Sequence, residues 1–228
     1  MTALEAETGR LYLTFGGYPR PVLEVCGQCE PDWPPHAVED VSLHDLTLRQ
    51  LTAVHVMSLS DDAIRYCLPR LLEALSVTPA PVLEFRVGDL KARIAAWPDA
   101  ERTALRRWAD AVWVDMLAGS PVALGCFSDC PAVLDLLDWC GVPVDQRLDD
   151  LLAGHELAAS MHLADLVEAV YTLPDPFETT SRTAVSRWIE RAVVGERLQQ
   201  AFFVATDDES AGRISAAHRL WTVCTAGR

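Results

Sequence analysis

The chain has 228 residues, 50% of them hydrophobic, and its 33 acidic against 19 basic side chains leave a formal net charge of -14. That length and composition support one sizeable core or two small ones. The charge repels phosphate and disfavours sequence-independent binding to nucleic acid or an anionic membrane, and no apolar run approaches the ~20 residues of a membrane-spanning helix.

In chain order, the N-terminal "MTALEAETGR" has neither a basic region nor an apolar run, so no signal peptide is expected in it. Residues 10–40 are rich in Gly, Pro and aromatics and predict an irregular lead segment lying against the body. From Asp40 onward the spacing is helical. Thr47 is placed to cap "LRQLTAVHVM", with Leu48, Leu51, Val54 and His55 marking one face. Ser60 caps "DDAIRYCLPRLLEAL", with two Asp in its first turn and a kink or break expected at Pro69. "GDLKARIAAW" is a short helix. Pro98 opens a long one closed by Gly119, with a stripe of Leu105, Trp108, Ala109, Val112 and Met116.

Asp129 and Pro131 open "PAVLDLLDWC", which Gly141 ends. "VDQRLDDLLAG" and "HELAASMHLADLVEAVYTL" follow, the latter stopped by Pro174 and Pro176. "SRTAVSRWIERAV", "GERLQQAFFVAT" and "ESAGRISAAHRLWTVC" complete the chain. No period-two apolar run appears after residue 40, so no sheet is expected. The fold class predicted is all-α: one helical domain over 1–228 with the lead segment packed on it. It is expected as an array of antiparallel helical hairpins, either a HEAT-like superhelix or an irregular bundle.

Several stretches together resemble a family of bacterial all-helical proteins without an assigned activity. They are "FGGYPRP", the Cys26/Cys29 pair, "DDAIRYCLPRLLEAL" with its LPRLLE core, "LRRWADAVWVDML", "HLADLVEAV" and "ERLQQAFFVATDDES". The resemblance implies a helical body behind an irregular Cys-containing lead, and no substrate or cofactor.

Seven Cys argue against a secreted disulfide framework and for a reducing cytoplasm. Cys26 and Cys29 form a C-x-x-C pair, which is half of a structural zinc site. His36 is a candidate third ligand, although Pro34 and Pro35 precede it. Cys126 and Cys130 would complete a four-Cys site if the lead segment folded onto the middle of the chain. A redox role is poorer, because no helix N-terminus follows the pair to activate a thiolate. The plain reading is a set of reduced thiols in a packed segment, so no cofactor is required and zinc is the alternative.

"HELAAS" lacks the second His of a zinc-protease helix, since Ala159 stands there, and His155 and His162 gain no carboxylate partner from sequence. The pairs Asp61-Asp62, Asp149-Asp150 and Asp207-Asp208 sit where helix capping explains them. No phosphate-binding loop and no nucleophile elbow are present. The function expected is a non-enzymatic acidic interaction protein with a basic protein partner, met through Asp149, Asp150, Asp207, Asp208 and Glu209. The alternatives are a small zinc protein and an enzyme with a site assembled from separated residues.

Overall fold

The computed structural model describes residues 2–79 and 88–226. Among them the fold is all-α and holds no strand. Eleven α-helices run in the order α1 (Ala3–Phe15), α2 (Leu48–Ala53), α3 (Asp61–Val77), α4 (Gly88–Ala95), α5 (Asp99–Leu117), α6 (Cys130–Trp139), α7 (Val144–Ala153), α8 (Leu157–Thr172), α9 (Arg182–Ile189), α10 (Ala192–Val204) and α11 (Asp208–Thr225). Short 3-10 turns lie at Leu43–Asp45 and Val56–Ser58. No helix among the described residues is long and apolar enough to cross a membrane.

Local chemistry accounts for the starts. Thr47 closes a capping box with Gln50, and Ser60, Asp129, Ser181 and Asp207 each accept a backbone N–H from the first turn of their helix. α1 corrects the expected lead segment, because residues 10–15 are helical rather than irregular. Its signal is in the sequence. Thr2 and Glu5 form a reciprocal capping box, and Leu11 and Phe15, four residues apart, share a buried face. Between Gly16 and Ser42 the chain has no helix.

Of the kink or break expected at Pro69, the break does not occur, because α3 runs from Asp61 to Val77 with Pro69 inside it. Pro69 removes one backbone donor, but Cys67, Leu68, Leu71 and Leu72 are buried on either side of it, and Arg70 Nε donates to the Leu46 carbonyl at 2.6 Å. Tertiary packing there outweighs local propensity.

The chain divides into two compact units. The first comprises Met1–Ala111 and Leu124–Cys126. In it α1 and α2 pack on α3, and the buried indole of Trp108 donates to Thr8 Oγ1 at 3.0 Å. Gly125 joins this unit by close approach. Its φ is +58°, and a Cβ there would stand 2.3 Å from the Leu75 carbonyl oxygen.

The second unit comprises Val112–Ala123 and Phe127–Arg228. α8 is its centre, packed by α6, α7, α9, α10 and α11, and buried residues occupy nearly its whole circumference. The buried His162 lies 2.8 Å from the carbonyl oxygens of both Met116 and Gly119, so its Nε2–H closes the C-terminus of α5. α10 begins at Ala192, before the Gly195 that the sequence suggests. Gly195 lies inside the helix, at a position where a Cβ would meet the Trp221 ring at 2.3 Å.

Candidate metal centre

The segment between α1 and α2 is irregular in hydrogen bonding but firmly anchored. At its start, Tyr18 donates to Glu101 Oε1. The Arg65 guanidinium lies over the rings of Tyr18 and Trp97, at 5.3 and 4.9 Å from their centroids. Arg65 Nε is 3.1 Å from Glu101 Oε2, an ion-pair distance without the alignment of a hydrogen bond. Farther on, Arg20 reaches across the loop and donates to the carbonyls of Val38, Glu39 and Val41. One guanidinium thereby holds the two ends of the intervening chain together.

Within that clasp, Val25 N–H donates to Pro35 O and Cys26 N–H to Ala53 O, both at 2.8 Å. The second bond places Cys26 beside the end of α2. A tight turn follows, with Cys29 N–H and Glu30 N–H both donating to Cys26 O at 3.1 and 3.0 Å. The turn aims the backbone amides of Cys29 and Gln28 at the Cys26 sulfur, and with the Cys29 side chain they lower the pKa of that thiol. The thiolate, which such a shift favours, is the form that binds metal.

His55 stands across from the turn. It is the one non-glycine residue with positive φ among those described, with φ 48° and ψ 50°. That left-handed conformation is sterically costly for an L-residue and is concentrated at functional sites. It directs Nε2 to 3.0 Å from Cys29 Sγ. The donor atoms of Cys26, Cys29 and His55 all lie within 4.8 Å of one another. Zinc held at ~2.3 Å from sulfur and ~2.0 Å from nitrogen brings tetrahedral donors to within about 4 Å of each other, so small side-chain adjustments admit an ion. Cys26 is half-buried, while Cys29 and His55 are exposed.

Of the ligands considered from sequence, the structure therefore brings Cys26 and Cys29 together and adds His55. The exposed His36 is outside the group, as are Cys126 and Cys130. Cys126 is buried, with Sγ donating to the Thr78 carbonyl at 3.1 Å. Cys130 opens α6 fully buried, and burial, with Asp129 and Asp165 nearby, pushes its pKa up. Burial likewise pushes Cys67 up to about 12. These buried thiols are chemically quiet, in contrast to the Cys26–Cys29 turn.

The five acidic residues expected to meet a partner have mixed surroundings. Asp149 accepts from Trp188 Nε1 at 3.0 Å and Arg191 at 2.7 Å, which together hold its pKa below the usual carboxylate range. Asp150 pairs with Arg147, and Asp207 caps α11 through Ser210 N–H. Asp208 and Glu209 are exposed in the first turn of α11. An acid-lined cleft of about 630 Å³ also lies in the second unit. Three of its carboxylates already serve the fold. Asp129 caps α6, Asp135 accepts the N–H groups of Glu178, Thr179 and Thr180, and Asp165 pairs with Arg213. No family model, curated protein or solved structure matches the chain.

Proposed function

We propose that this is a metal-binding helical protein in which Cys26, Cys29 and His55 hold a divalent ion of the zinc class. The convergence of these three side chains, one of them on a left-handed residue, carries the reading. Two sulfurs and an imidazole suit zinc and leave magnesium and calcium, which require oxygen, without suitable donors. The ion's first task is architectural. It ties the helix-free segment after α1 to the turn that ends α2, replacing the weak Cys29–His55 contact by coordination bonds. Elemental analysis of protein purified under reducing conditions should find about one zinc per chain, falling to trace in Cys29→Ser and in His55→Ala. Wild-type protein that neither carries zinc nor takes it from a chromophoric chelator overturns the reading.

A second reading, an acidic surface that meets a basic protein, is favoured by one observation. Phe203 and Val204, 75% and 66% exposed at the end of α10, lie two residues before the acidic stretch Asp207–Glu209. An exposed apolar pair followed by exposed acids suits a partner that carries both basic and apolar side chains. A partner isolated from native extract should associate more slowly at high salt and with D208K/E209K, and should be lost with Phe203→Asp. Association indifferent to both salt and the charge reversals removes this reading.

A further inference from the structure

The metal-binding reading has a consequence for coordination number. Among the described residues, the group of donor atoms within mutual reach ends at three, and zinc in such sites is completed to four by water or an added ligand. The acid adjacent in sequence is engaged elsewhere. Both Glu30 oxygens accept from Arg49, Oε1 from Nε at 3.0 Å and Oε2 from Nη2 at 2.8 Å, and the guanidinium lies 4.9 Å from the centroid of the Trp33 ring. The bidentate pair and the aromatic face hold that carboxylate in place. Because Cys29 and His55 are exposed, a ligand has access from solvent.

Charge then selects the ligand. A divalent ion with two thiolates is already neutral, and the chain around it carries a net charge of -14. A third anion approaches against that field, whereas a neutral donor does not. Resting on the metal-binding reading, we propose that the ion held by Cys26, Cys29 and His55 keeps one open position facing solvent, and that this position takes a neutral nitrogen donor of the imidazole class, from a partner's histidine or a small molecule. The Glu30 carboxylate, held by Arg49, is not poised as a base to activate a bound water.

Cobalt(II) in place of zinc tests this, because its visible bands report both coordination geometry and donor exchange. The full-length protein, kept reduced with a phosphine, is loaded with cobalt and titrated separately with imidazole and with 2-mercaptoethanol. The expected result is a tetrahedral spectrum with sulfur charge-transfer bands that shifts saturably with one imidazole per chain, half-saturating at a lower concentration than the thiol requires. A tetrahedral spectrum unmoved by either ligand means a closed site and overturns the proposal while leaving the metal-binding reading intact. A shift with the thiol at lower concentration than with imidazole overturns the ligand class. Absence of the sulfur charge-transfer bands overturns the metal-binding reading and the proposal together.

Discussion

Zinc should raise the protein's unfolding free energy by about 4 kcal/mol when the free ion stands about a thousandfold above its dissociation constant. The Cys29→Ser variant should lose that increment. Its metal-free stability should stay within about 0.5 kcal/mol of wild type, as for an ordinary exposed position. The stabilisation follows from linkage: the three donors converge only in the folded chain, so the ion binds the native state in preference to the unfolded one. His55 gives this prediction a second arm. Its left-handed backbone costs roughly 1–2 kcal/mol for an L-residue, which glycine relieves, and glycine in turn adds about 0.5–1 kcal/mol of unfolded-state entropy. His55→Gly should therefore leave the metal-free protein as stable as wild type or up to about 1.5 kcal/mol more stable, while zinc no longer shifts its transition. Guanidinium denaturation with zinc and with chelator measures both. A zinc-dependent midpoint shift that survives in Cys29→Ser and His55→Gly would assign the ion to other residues.

Glu101→Ala should cost about 2 kcal/mol, because it takes the covered carboxylate from the half-buried Arg65 guanidinium and leaves it only the exposed Asp62, 3.3 Å away. Glu101 and Arg65 side chains are only 8% and 14% exposed, and the same carboxylate accepts the Tyr18 hydroxyl. That hydrogen bond is the first cause of the raised Tyr18 pKa, with burial and the Glu101 charge adding to it. The loss reaches the candidate site through the chain, since Tyr18 anchors the segment that carries Cys26 eight residues later. Zinc affinity should fall with stability. Arg65→Met combined with Glu101→Leu removes both charges and should recover most of the loss, because a buried pair stabilises little relative to well-packed apolar groups. Chemical denaturation of the two variants decides the matter. A double variant no more stable than Glu101→Ala would show that the pair is not the cause.

Much of the helical layout was legible because it is local. Thr47, Ser60, Asp129 and Asp207 cap helices from within the same turn, and apolar residues spaced for one face need no distant partner to declare a helix. The T-x-x-E box at Thr2 was equally local and marks α1, which the Gly- and Pro-rich composition after it obscures. Pro69 and Gly195 went the other way. Whether a proline breaks a helix depends on how firmly both flanks are buried, and a glycine inside α10 has its reason in Trp221, 26 residues away.

The candidate centre divides along the same line. Cys26 and Cys29 are paired by sequence, because a two-residue gap closes a turn by itself. His55 is not, since its imidazole reaches Cys29 only through the Cys26–Ala53 hydrogen bond, the Arg20 clasp and its own left-handed φ. The spacing of two thiols was therefore determined by the sequence alone, whereas their third partner was decided by tertiary contacts. Closing a long loop onto a distant residue costs chain entropy, which only the folded body's packing and hydrogen bonds offset.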